Sequence, residues 1–390
     1  MSKFSTRVES SSKENAGAAL KIAADKSFIL LSTGGPSTKS YPVEDIKKFT
    51  EQILNNHQDE MLNYNEVSGY NKLREQLKIE LAKENIFKSG DDIIITSGAQ
   101  QGIDLVSRIF IDKSDAVVCE NPTFLAAISV FESYEANIIG INMEKDGLDT
   151  DELESILKSN QNIKFIYVIP NFQNPTGISM TIQKRKRLLE LAQEYNLIIL
   201  EDDPYKKLRF SGKEVPSLKT LDKNNRVIYL GSFSKILSPG LRVGYIVANQ
   251  ETINTITSFK LNSDVHTSMY SQILCHKFMT ECNQENHMKK IANIYREKCG
   301  HMISEIEKYF DESIKYEVPE GGLFIWCTLP DTITSDEFFK RAIDKKVAIM
   351  KGNQFMTKGG DCHTFRLSYS SATNEQISKG IEILGNIDLN

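Results

Sequence analysis

The chain has 390 residues, of which 40% are hydrophobic and 25% are charged. These values are ordinary for a globular protein and exclude a fibrous or disordered chain. The length is too great for one small core, so we expect a large domain with a smaller partner. Lysine and arginine number 47 against 52 for aspartate and glutamate, a formal net charge of −5. This balance gives no electrostatic reason to expect a nucleic-acid or membrane partner, so a small-molecule ligand is the better expectation.

The six cysteines are scattered along the chain without any Cys-x-x-Cys pair. Their spacing indicates neither a zinc site nor a disulfide framework, so we expect reduced thiols and no bound metal. The N-terminus is polar, and no stretch of the sequence approaches the roughly 18 apolar residues that a membrane span requires. These features predict a cytoplasmic location.

Seven short apolar runs recur between stretches in which apolar residues have helical spacing. This alternation predicts βαβ units, and therefore an α/β fold whose large domain carries a mostly parallel seven-stranded sheet. The seventh run follows the sixth too closely to leave room for a crossover helix, so we expect it to be antiparallel. The predicted strands are 93–96, 116–120, 137–141, 165–169, 197–201, 227–231 and 243–248.

The C-terminal part has a different pattern. Apolar residues at helical spacing predict a helix at 295–310, and the runs LFIW (323–326) and FRLSYS (365–370) predict short strands. We expect this part, together with the N-terminal segment, to form a smaller α+β domain. The predicted division is an N-terminal segment at 1–42, a large domain at 43–285 and a C-terminal small domain at 286–390.

Lys235 lies in the segment GSFSKILSPGLRVGY, with Ser232 and Ser234 before it and Arg242 seven residues after it. A single lysine in a loop is ordinarily a solvated surface charge. A cofactor phosphate, however, needs hydroxyl donors and a guanidinium close together, and the two serines and Arg242 can supply them. Lys235 is then free to form an imine with an aldehyde, such as that of pyridoxal 5′-phosphate (PLP).

Asp202 ends the predicted strand LIILED, at the carboxyl edge of the sheet where ligands of such folds bind. PLP acts as an electron sink while its pyridine nitrogen is protonated, and a buried carboxylate beside that nitrogen favours the protonated state. The competing interpretation is that Asp202 and Asp203 cap the turn in EDDPY. Tyr205, three residues after Asp202, could hydrogen-bond the phenolic oxygen of the cofactor or serve as a packing residue.

Three further segments belong to the same predicted edge. Asn174 in PNFQNPTG follows a strand and can donate its amide to the phenolic oxygen, although Asn-Pro-Thr-Gly is also an ordinary turn. In TSGAQQGIDL the chain turns from strand to helix, so the backbone amides of Ala99 and Gln100 offer an anion site. Phe124 offers an aromatic face for the pyridine ring, with a core residue as the alternative.

Together these motifs resemble the PLP-dependent enzymes of fold type I. Within that class the chain is similar to class I and II aminotransferases, in the group that holds the 2-aminoadipate and aromatic aminotransferases and the catalytic domain of MocR-type regulators. The resemblance runs from about Gly34 to Ser371 and rests on YNEVSGYNKLREQL, FQNPTG, EDDPY, SFSK-x₆-R and FRLSYS. It implies that PLP is the cofactor and that Lys235 and Asp202 act on its aldehyde carbon and its pyridine nitrogen. It implies as further cofactor-binding residues Ala99, Gln100, Phe124, Asn174, Tyr205, Ser232, Ser234 and Arg242, with Tyr205 also counted as catalytic.

The resemblance also implies contacts to the substrate and to a second subunit. Arg366 in FRLSYS matches an arginine that binds the substrate α-carboxylate, with Asn174 and Gly35 as further substrate contacts. The alternative for Arg366 is a surface ion pair on an edge strand. Tyr70 matches a tyrosine that reaches across a dimer interface toward the neighbouring cofactor, which implies a homodimer with composite active sites.

Two departures from the family pattern affect the expected substrate. Relatives that act on acidic side chains carry an arginine ahead of the Gly34-Gly35 pair, where this chain has Ala18 and only Lys21 as a nearby cation. We therefore expect dicarboxylic amino acids to be poor substrates. Lys351 stands in MKGNQF where a proline is common, and we expect it either to line the substrate pocket or to face solvent.

The implied function is transfer of an amino group between an α-amino acid and a 2-oxo acid, through an aldimine with Lys235, which then moves a proton. A second possibility is a specialised PLP reaction on the same frame: elimination or replacement, cyclisation, or oxidative deamination. The same cofactor site serves all of these reactions, so the motifs do not separate them. A PLP-sensing regulator is the least favoured, since the roughly forty residues before the sheet contain no basic helix-turn-helix.

Overall fold

A computed structural model describes residues 22, 24–160, 162–360 and 362–389 of the chain. Ala18 and Lys21, on which the expectation about acidic substrates depends, lie outside the described residues. Within the described ranges no helix is both long and apolar enough to cross a membrane. The same ranges hold no group of three or more histidine, cysteine, aspartate or glutamate side chains placed to bind a metal ion.

A large sheet forms the centre of the described chain. The strands up to residue 249 are β1 (Ile29–Leu30), β2 (Asp91–Thr96), β3 (Ala116–Asn121), β4 (Asn137–Glu144), β5 (Gly147–Leu148), β6 (Ile163–Val168), β7 (Ile198–Asp202), β8 (Val227–Ser232) and β9 (Gly244–Asn249). All of them except β1 belong to the large sheet, in the order β2-β9-β8-β7-β6-β3-β4-β5. The neighbours from β8 to β4 pair in parallel.

The predicted sheet is confirmed and extended by one strand. All seven predicted runs are strands, and β9 pairs antiparallel with both β2 and β8, as its short connection requires. The eighth strand, β5, has two residues and pairs antiparallel with the end of β4. A strand this short has no periodicity that a sequence pattern can reveal.

Helices cover both faces of this sheet. In chain order they are α1 (Val43–Asn56), α2 (Gln58–Leu62), α3 (Asn71–Lys83), α4 (Ala99–Phe110), α5 (Leu125–Ser133), α6 (Thr150–Ser159), α7 (Ile182–Glu194), α8 (Leu218–Leu221), α9 (Gln250–Leu261) and α10 (Met269–Glu281). Several begin at a residue whose side chain accepts a backbone N–H of the first turn, as Asp149, Thr181 and Asn249 do. Helix α4 begins at Gly98 without such a cap, which leaves its first amides available.

The C-terminal part builds a smaller sheet. Its elements are α11 (Gln284–Tyr309), β10 (Lys315–Tyr316), β11 (Phe324–Thr328), α12 (Ser335–Asp344), β12 (Val347–Ala348), β13 (Met350–Lys351), β14 (Thr364–Ser368) and α13 (Asn374–Gly385). Four of the strands form an antiparallel sheet in the order β10-β11-β14-β13, while β12 pairs in parallel with β1. The sequence predicts a helix from residue 295, but α11 begins earlier, at Gln284, where Asn283 caps it. The apolar pattern in this first half is sparse, so helical spacing does not reveal it.

The hydrophobic core lies on both faces of the large sheet, because alternate residues of a strand point to opposite faces. In β2, Ile94 packs on one face with Leu200 of β7 and Leu230 of β8. Ile93 and Ile95 pack on the other face, against α1, α3 and α10. The same alternation determines which face of the sheet each polar residue at a strand end occupies.

Candidate active site

Strand register brings three of the predicted segments to one point on the sheet edge. Thr96, the last residue of β2, and Ser232, the last residue of β8, both pair with Gly244 at the start of β9. The turn after β2, the loop that carries Lys235 and the Arg242 segment before β9 therefore meet there. The parallel strands β6 and β7 end at the same edge and place Asp202 beside them.

Lys235 is partly buried at this edge. Its Nζ donates a hydrogen bond of 2.9 Å to the backbone oxygen of Gly34. Burial, together with the positive charges of Arg366 and Arg242, lowers the pKa of Lys235 to about 8, against the opposing effect of Asp202. Lys235 is therefore no solvated surface charge, and a neutral amine is accessible near neutral pH.

Asp202 has one carboxylate oxygen bonded and one unpaired. The residue is 3% exposed, and its Oδ2 accepts a hydrogen bond of 2.9 Å from the Tyr167 hydroxyl. No group among the described residues donates to its buried Oδ1. Burial raises the pKa of Asp202 to about 7, and the Tyr167 hydrogen bond only partly opposes that rise. The unpaired oxygen requires a donor, since buried carboxylates are otherwise satisfied.

Asp203 has the opposite environment. Its two oxygens accept hydrogen bonds from Asn171 Nδ2 at 2.8 Å and from the Tyr229 hydroxyl at 3.2 Å. The short helix that follows, Lys206–Leu208, has no side-chain cap, so the interpretation of Asp202 and Asp203 as turn caps is wrong. Between the two carboxylates, Asp202 has the oxygen that lacks a partner.

Asn174 links the predicted cofactor and substrate residues. Its Oδ1 accepts a hydrogen bond of 2.7 Å from Arg366 Nη1, and its side chain lies close enough to Tyr205 to oppose the rise that burial causes in the Tyr205 pKa. The Oδ1 is thereby occupied, so the Nδ2 is the atom left to act as a donor.

Arg366 is buried in the smaller sheet. It is 4% exposed and lies on β14, between β11 and β13, so the interpretation as a surface ion pair on an edge strand is wrong. Its Nη2 donates to the Ser32 oxygen at 2.6 Å, and its Nε has no acceptor in the described part of the chain. The guanidinium lies 4.0 Å from the ring centroid of Phe324 and 5.0 Å from that of Phe355. Burial lowers the pKa of Arg366 to about 10, yet the group remains charged.

The turn after β2 forms a cradle for an anion. Gly98 has φ of 83°, and a Cβ at this position would lie 2.4 Å from Arg242 Nη2. Arg242 itself has a left-handed backbone, with φ of 53°, a conformation that tends to occur at functional sites in non-glycine residues. Across the turn, the Ser232 Oγ accepts from the Ser234 amide at 3.1 Å. Uncapped amides, hydroxyls and a guanidinium therefore surround one position.

Residues 26–384 match the family profile described as aminotransferase class I and II. The chain belongs to this family. It is 37% identical to aromatic-amino-acid aminotransferase 1 of Thermococcus litoralis, over 94% of this chain and 89% of that protein.

Two solved structures have the same fold as this aminotransferase. One is kynurenine aminotransferase of Pyrococcus horikoshii in complex with PMP, KYN and KYA, with a TM-score of 0.95 and 37% identity over 98% of this chain and 96% of that one. The other is LysN, the alpha-aminoadipate aminotransferase of Thermus thermophilus, complexed with N-(5′-phosphopyridoxyl)-L-leucine. Its TM-score is 0.89, with 32% identity over 98% of this chain and 96% of that one.

These relationships establish the reaction and the cofactor. The aminotransferase moves an amino group between an amino acid and a 2-oxo acid, and its cofactor is PLP. The residues present fit that group: a buried carboxylate oxygen awaits a donor, an amine is available for the aldehyde, and the Gly98 cradle suits a phosphate.

The prediction for Tyr70 needs correction. Tyr70 is 4% exposed, its ring packs edge-on against His276 at 5.9 Å, and its hydroxyl donates to Glu60 at 3.5 Å. The ring is enclosed by its own subunit and does not project toward another. The tyrosine of the same segment that does project is Tyr64, which is 88% exposed.

The other predicted residues lie around the site in less central positions. Phe124 is partly buried and immediately precedes α5, against the core. The side chain of Gln100 donates to the Ala126 oxygen at 3.0 Å, which leaves its backbone amide for a ligand. The oxygen of Gly35 accepts from Ser370 at 2.6 Å, and a Cβ at Gly35 would meet nothing within 4 Å. Ala99 is the first residue of α4, as predicted.

Lys351 is partly exposed and is paired with a carboxylate. It forms an ion pair with Asp336 and lies 5.5 Å from the Phe339 ring centroid. Both partners belong to α12, so the cation is held against that helix. A residue that the sequence did not reveal is Tyr167, whose only signal was a hydroxyl near the end of an otherwise apolar run.

Proposed function

We propose that this aminotransferase holds PLP between Asp202, Lys235 and the Gly98 turn, and that it acts on aromatic amino acids. The observation that carries the cofactor assignment is the unpaired Oδ1 of Asp202, because a protonated pyridine nitrogen supplies the donor that this oxygen lacks. When bound, PLP supplies an electron sink for the electron pair released at the substrate Cα. Asn174 and Tyr205, in mutual contact, are the proposed partners of the phenolic oxygen.

Lys235 is the proposed carrier of the proton. Its lowered pKa, about 8, gives the Nζ a useful neutral fraction at neutral pH, which is the state that accepts a proton from the substrate Cα. The present hydrogen bond to Gly34 keeps the Nζ directed into the site. The same Nζ would then donate this proton to the cofactor carbon that carried the aldehyde. One residue would therefore serve both ends of the proton transfer.

The residues proposed to bind the cofactor phosphate surround the Gly98 turn. They contribute the amides of Ala99 and Gln100, the Ser232 and Ser234 hydroxyls, and the Arg242 guanidinium. The support is the uncapped start of α4 and the approach of Arg242 to Gly98. A dianionic group is stabilised there by donors and by the helix dipole together. Phe124 is the proposed stacking partner of the pyridine ring.

Arg366 is the proposed ligand of the substrate α-carboxylate. Its Nη1 and Nη2 already bind Asn174 and Ser32, and its unpaired Nε offers one more charge-assisted donor. The stacking of Phe324 and Phe355 on the guanidinium fixes its plane, so the carboxylate is received in one orientation. Gly35, where a Cβ would be uncrowded, is proposed to leave room for the substrate backbone.

An aromatic side chain is the proposed substrate preference. The relatives described above are named for aromatic amino acids and kynurenine, and aromatic rings surround the proposed carboxylate-binding arginine, with Trp326 edge-on to Phe355 at 5.8 Å. Such surfaces favour flat apolar side chains. The relative named as an alpha-aminoadipate aminotransferase makes a dicarboxylic substrate the alternative that the test must separate from an aromatic one.

The test is a half-reaction titration of the PLP-loaded protein with single amino acids. We expect phenylalanine, tyrosine and kynurenine to change the visible absorbance at lower concentrations than glutamate, 2-aminoadipate, lysine or leucine. The 2-oxo acid and free ammonia are quantified in parallel, since elimination and oxidative deamination release ammonia with the 2-oxo acid, whereas transamination leaves the amino group on the cofactor. A clear preference for glutamate and 2-aminoadipate would overturn the proposed substrate class.

A homodimer is the proposed assembly. Among the described residues, Leu62, Tyr64 and Leu261 are large hydrophobic side chains that remain exposed, and Tyr64 contacts His266 edge-on at 6.0 Å. Exposed apolar groups in neighbouring segments are typical of a subunit contact. We propose that Tyr64, rather than Tyr70, reaches the site of the neighbouring subunit.

Mixing two inactive variants tests the composite site. Tyr64→Ala and Lys235→Ala should recover up to about a quarter of wild-type activity when mixed, because half of the random dimers contain one intact site. Tyr70→Phe serves as the control: it should be active on its own, so mixing it with Lys235→Ala should give no activity beyond that of the Tyr70→Phe protein present. Absence of recovery with Tyr64→Ala, in a mixture shown to exchange subunits, would contradict the proposed role.

We further propose a cytoplasmic protein with a domain division at residues 42 and 285. The six cysteines are all free thiols, which suits a reducing compartment. The pairing of β1 with β12 supports the inclusion of the N-terminal segment in the smaller domain.

A further inference from the structure

A fully buried lysine lies directly behind the Gly98 turn. Lys260, in the last turn of α9, is 0% exposed. Its Nζ donates to Gln101 Oε1 at 2.9 Å, to Asp264 Oδ1 at 2.6 Å and to Thr267 Oγ1 at 3.3 Å. All three ammonium protons are thereby engaged, although none of the partners belongs to the reacting groups described above.

The partners of Lys260 hold the turn from two sides. Gln101 Oε1 also accepts the Ser97 amide at 2.7 Å, and Gln101 Nε2 donates to Asp264 Oδ2 at 2.8 Å. The Ser97 hydroxyl donates to the same Asp264 oxygen at 2.8 Å. Both ends of the segment from Ser97 to Gln101 are tied to one ion pair, and Gly98 with its uncapped amides lies between them.

The network does not end at the turn. The backbone oxygen of Thr267 accepts from Gln272 Nε2 at 2.7 Å, and Gln272 Oε1 accepts the Tyr70 amide at 2.7 Å. His266, beside Thr267, contacts Tyr64. A continuous set of hydrogen bonds therefore joins the turn to the segment proposed above as the subunit contact.

Stability alone gives no reason for a buried lysine at this place. Burying the Lys260 ammonium is costly, while Asp264 remains partly exposed, and well-packed apolar residues of similar volume often serve a fold as well or better. What the ion pair provides is orientation, because its hydrogen bonds hold both Ser97 and Gln101 in place. That orientation is delivered to the amides at the start of α4.

We propose that Lys260 is a positioning residue for the cofactor phosphate, acting through Gln101 and Ser97 on the amides at the start of α4. The inference rests on the proposed function, since it takes the Gly98 turn as the phosphate site. Its characteristic consequence is selective: loss of Lys260 weakens the binding of PLP but not that of pyridoxal, which lacks the phosphate.

The experiment measures dissociation constants of the cofactor-free protein for PLP and for pyridoxal. For Lys260→Met we expect PLP affinity to fall by about tenfold, the equivalent of ~1.4 kcal/mol, while pyridoxal affinity changes less than about twofold. The matched control is Lys219→Met, which removes another buried lysine from its aspartate partner, Asp91 at 3.0 Å, away from the turn. This control should lose stability and keep the wild-type ratio of the two affinities.

A second variant keeps the test decisive if Lys260→Met fails to fold. Gln101 is partly exposed, so Gln101→Leu should fold while it removes the link between Lys260 and Ser97. It should show the same selective loss of PLP affinity. Equal losses for PLP and pyridoxal, or no loss in either variant, would overturn the role of Lys260. Failure of the wild-type protein to prefer PLP over pyridoxal would instead overturn the proposed phosphate site itself.

Discussion

The two faces of the sheet at the end of β7 differ in how completely their polar groups are bonded. On one face, Glu201 accepts the amides of Leu218 and Lys219, both at 2.8 Å, and Asp203 accepts from Asn171 and Tyr229. On the other face, between those two residues in sequence, Asp202 keeps an oxygen without a donor in the described chain.

In the proposed site, this difference separates carboxylates that serve the fold from the one that we propose serves the cofactor. A buried acceptor without a partner costs on the order of 1–3 kcal/mol, so the fold is more stable without it unless a ligand supplies the donor. The same contrast holds for Arg366, whose Nε lacks an acceptor on the site side. For the pair Asp202 and Asp203, substitutions should therefore have opposite signatures.

The largest expected effect is that of Lys235→Ala. Turnover should fall by roughly 10⁴-fold, because both the amine that meets the cofactor aldehyde and the proton carrier are lost. The protein should still fold and bind PLP without a covalent bond. Borohydride reduction of wild-type protein, followed by peptide mapping, should place the pyridoxyl group on Lys235; a label on another lysine would refute the assignment.

The comparison between the faces is tested by a pair of substitutions. Asp202→Asn should lower kcat by about 10²-fold or more with little loss of stability, since an amide no longer stabilises a protonated pyridine nitrogen. Asp203→Asn should instead cost about 1–3 kcal/mol in unfolding free energy and leave kcat within a few fold. Steady-state kinetics and urea unfolding of both variants decide the matter. Similar kinetic losses would show that the two faces are not functionally distinct.

A smaller effect concerns stability against pH in the cofactor-free protein. Burial raises the pKa of Asp202 to about 7, whereas the unfolded chain releases that proton near its ordinary value, about 4. The contribution of this group to stability is therefore present below about pH 4 and lost as pH rises to about 7. Asp202→Asn removes that loss.

The cofactor-free Asp202→Asn variant should accordingly gain stability relative to wild type as pH rises, by roughly 1 kcal/mol or more at pH 8. Urea unfolding of both proteins at pH 5 and pH 8 measures the gain. In PLP-loaded protein the order should reverse, because the carboxylate then has its partner. A difference between variant and wild type that does not change with pH would contradict the assigned pKa.

Much of the fold and of the site was predictable from the sequence because both depend on local patterns. Alternating strands and helices specify a parallel sheet, and motifs that follow strands must gather at its carboxyl edge. Lys235, Asp202 and Asn174 converge for this reason, whereas Arg366 comes from the smaller antiparallel sheet and meets Asn174 there. The cofactor roles of these residues remain proposals that the experiments above address.

What was missed depends on contacts between distant segments. Tyr167 bonds Asp202 because β6 and β7 are neighbours, which a single strand pattern does not reveal. The exposure of Tyr64 and the burial of Tyr70 depend on how α10 packs against their segment. Lys260 lies 159 residues from Gln101, so its role could be read only from the folded chain.

The hydrogen bonds from the Gly98 turn through Lys260, Thr267 and Gln272 to the Tyr70 amide have a thermodynamic corollary. If subunit contact at this segment tightens the phosphate site, reciprocity requires that the cofactor tighten subunit contact by the same factor. Dilution, which separates the subunits, should then promote loss of the cofactor, and removal of the cofactor should promote separation of the subunits. Sedimentation of dilute protein should show more monomer without PLP than with it, and pyridoxal should not substitute for PLP.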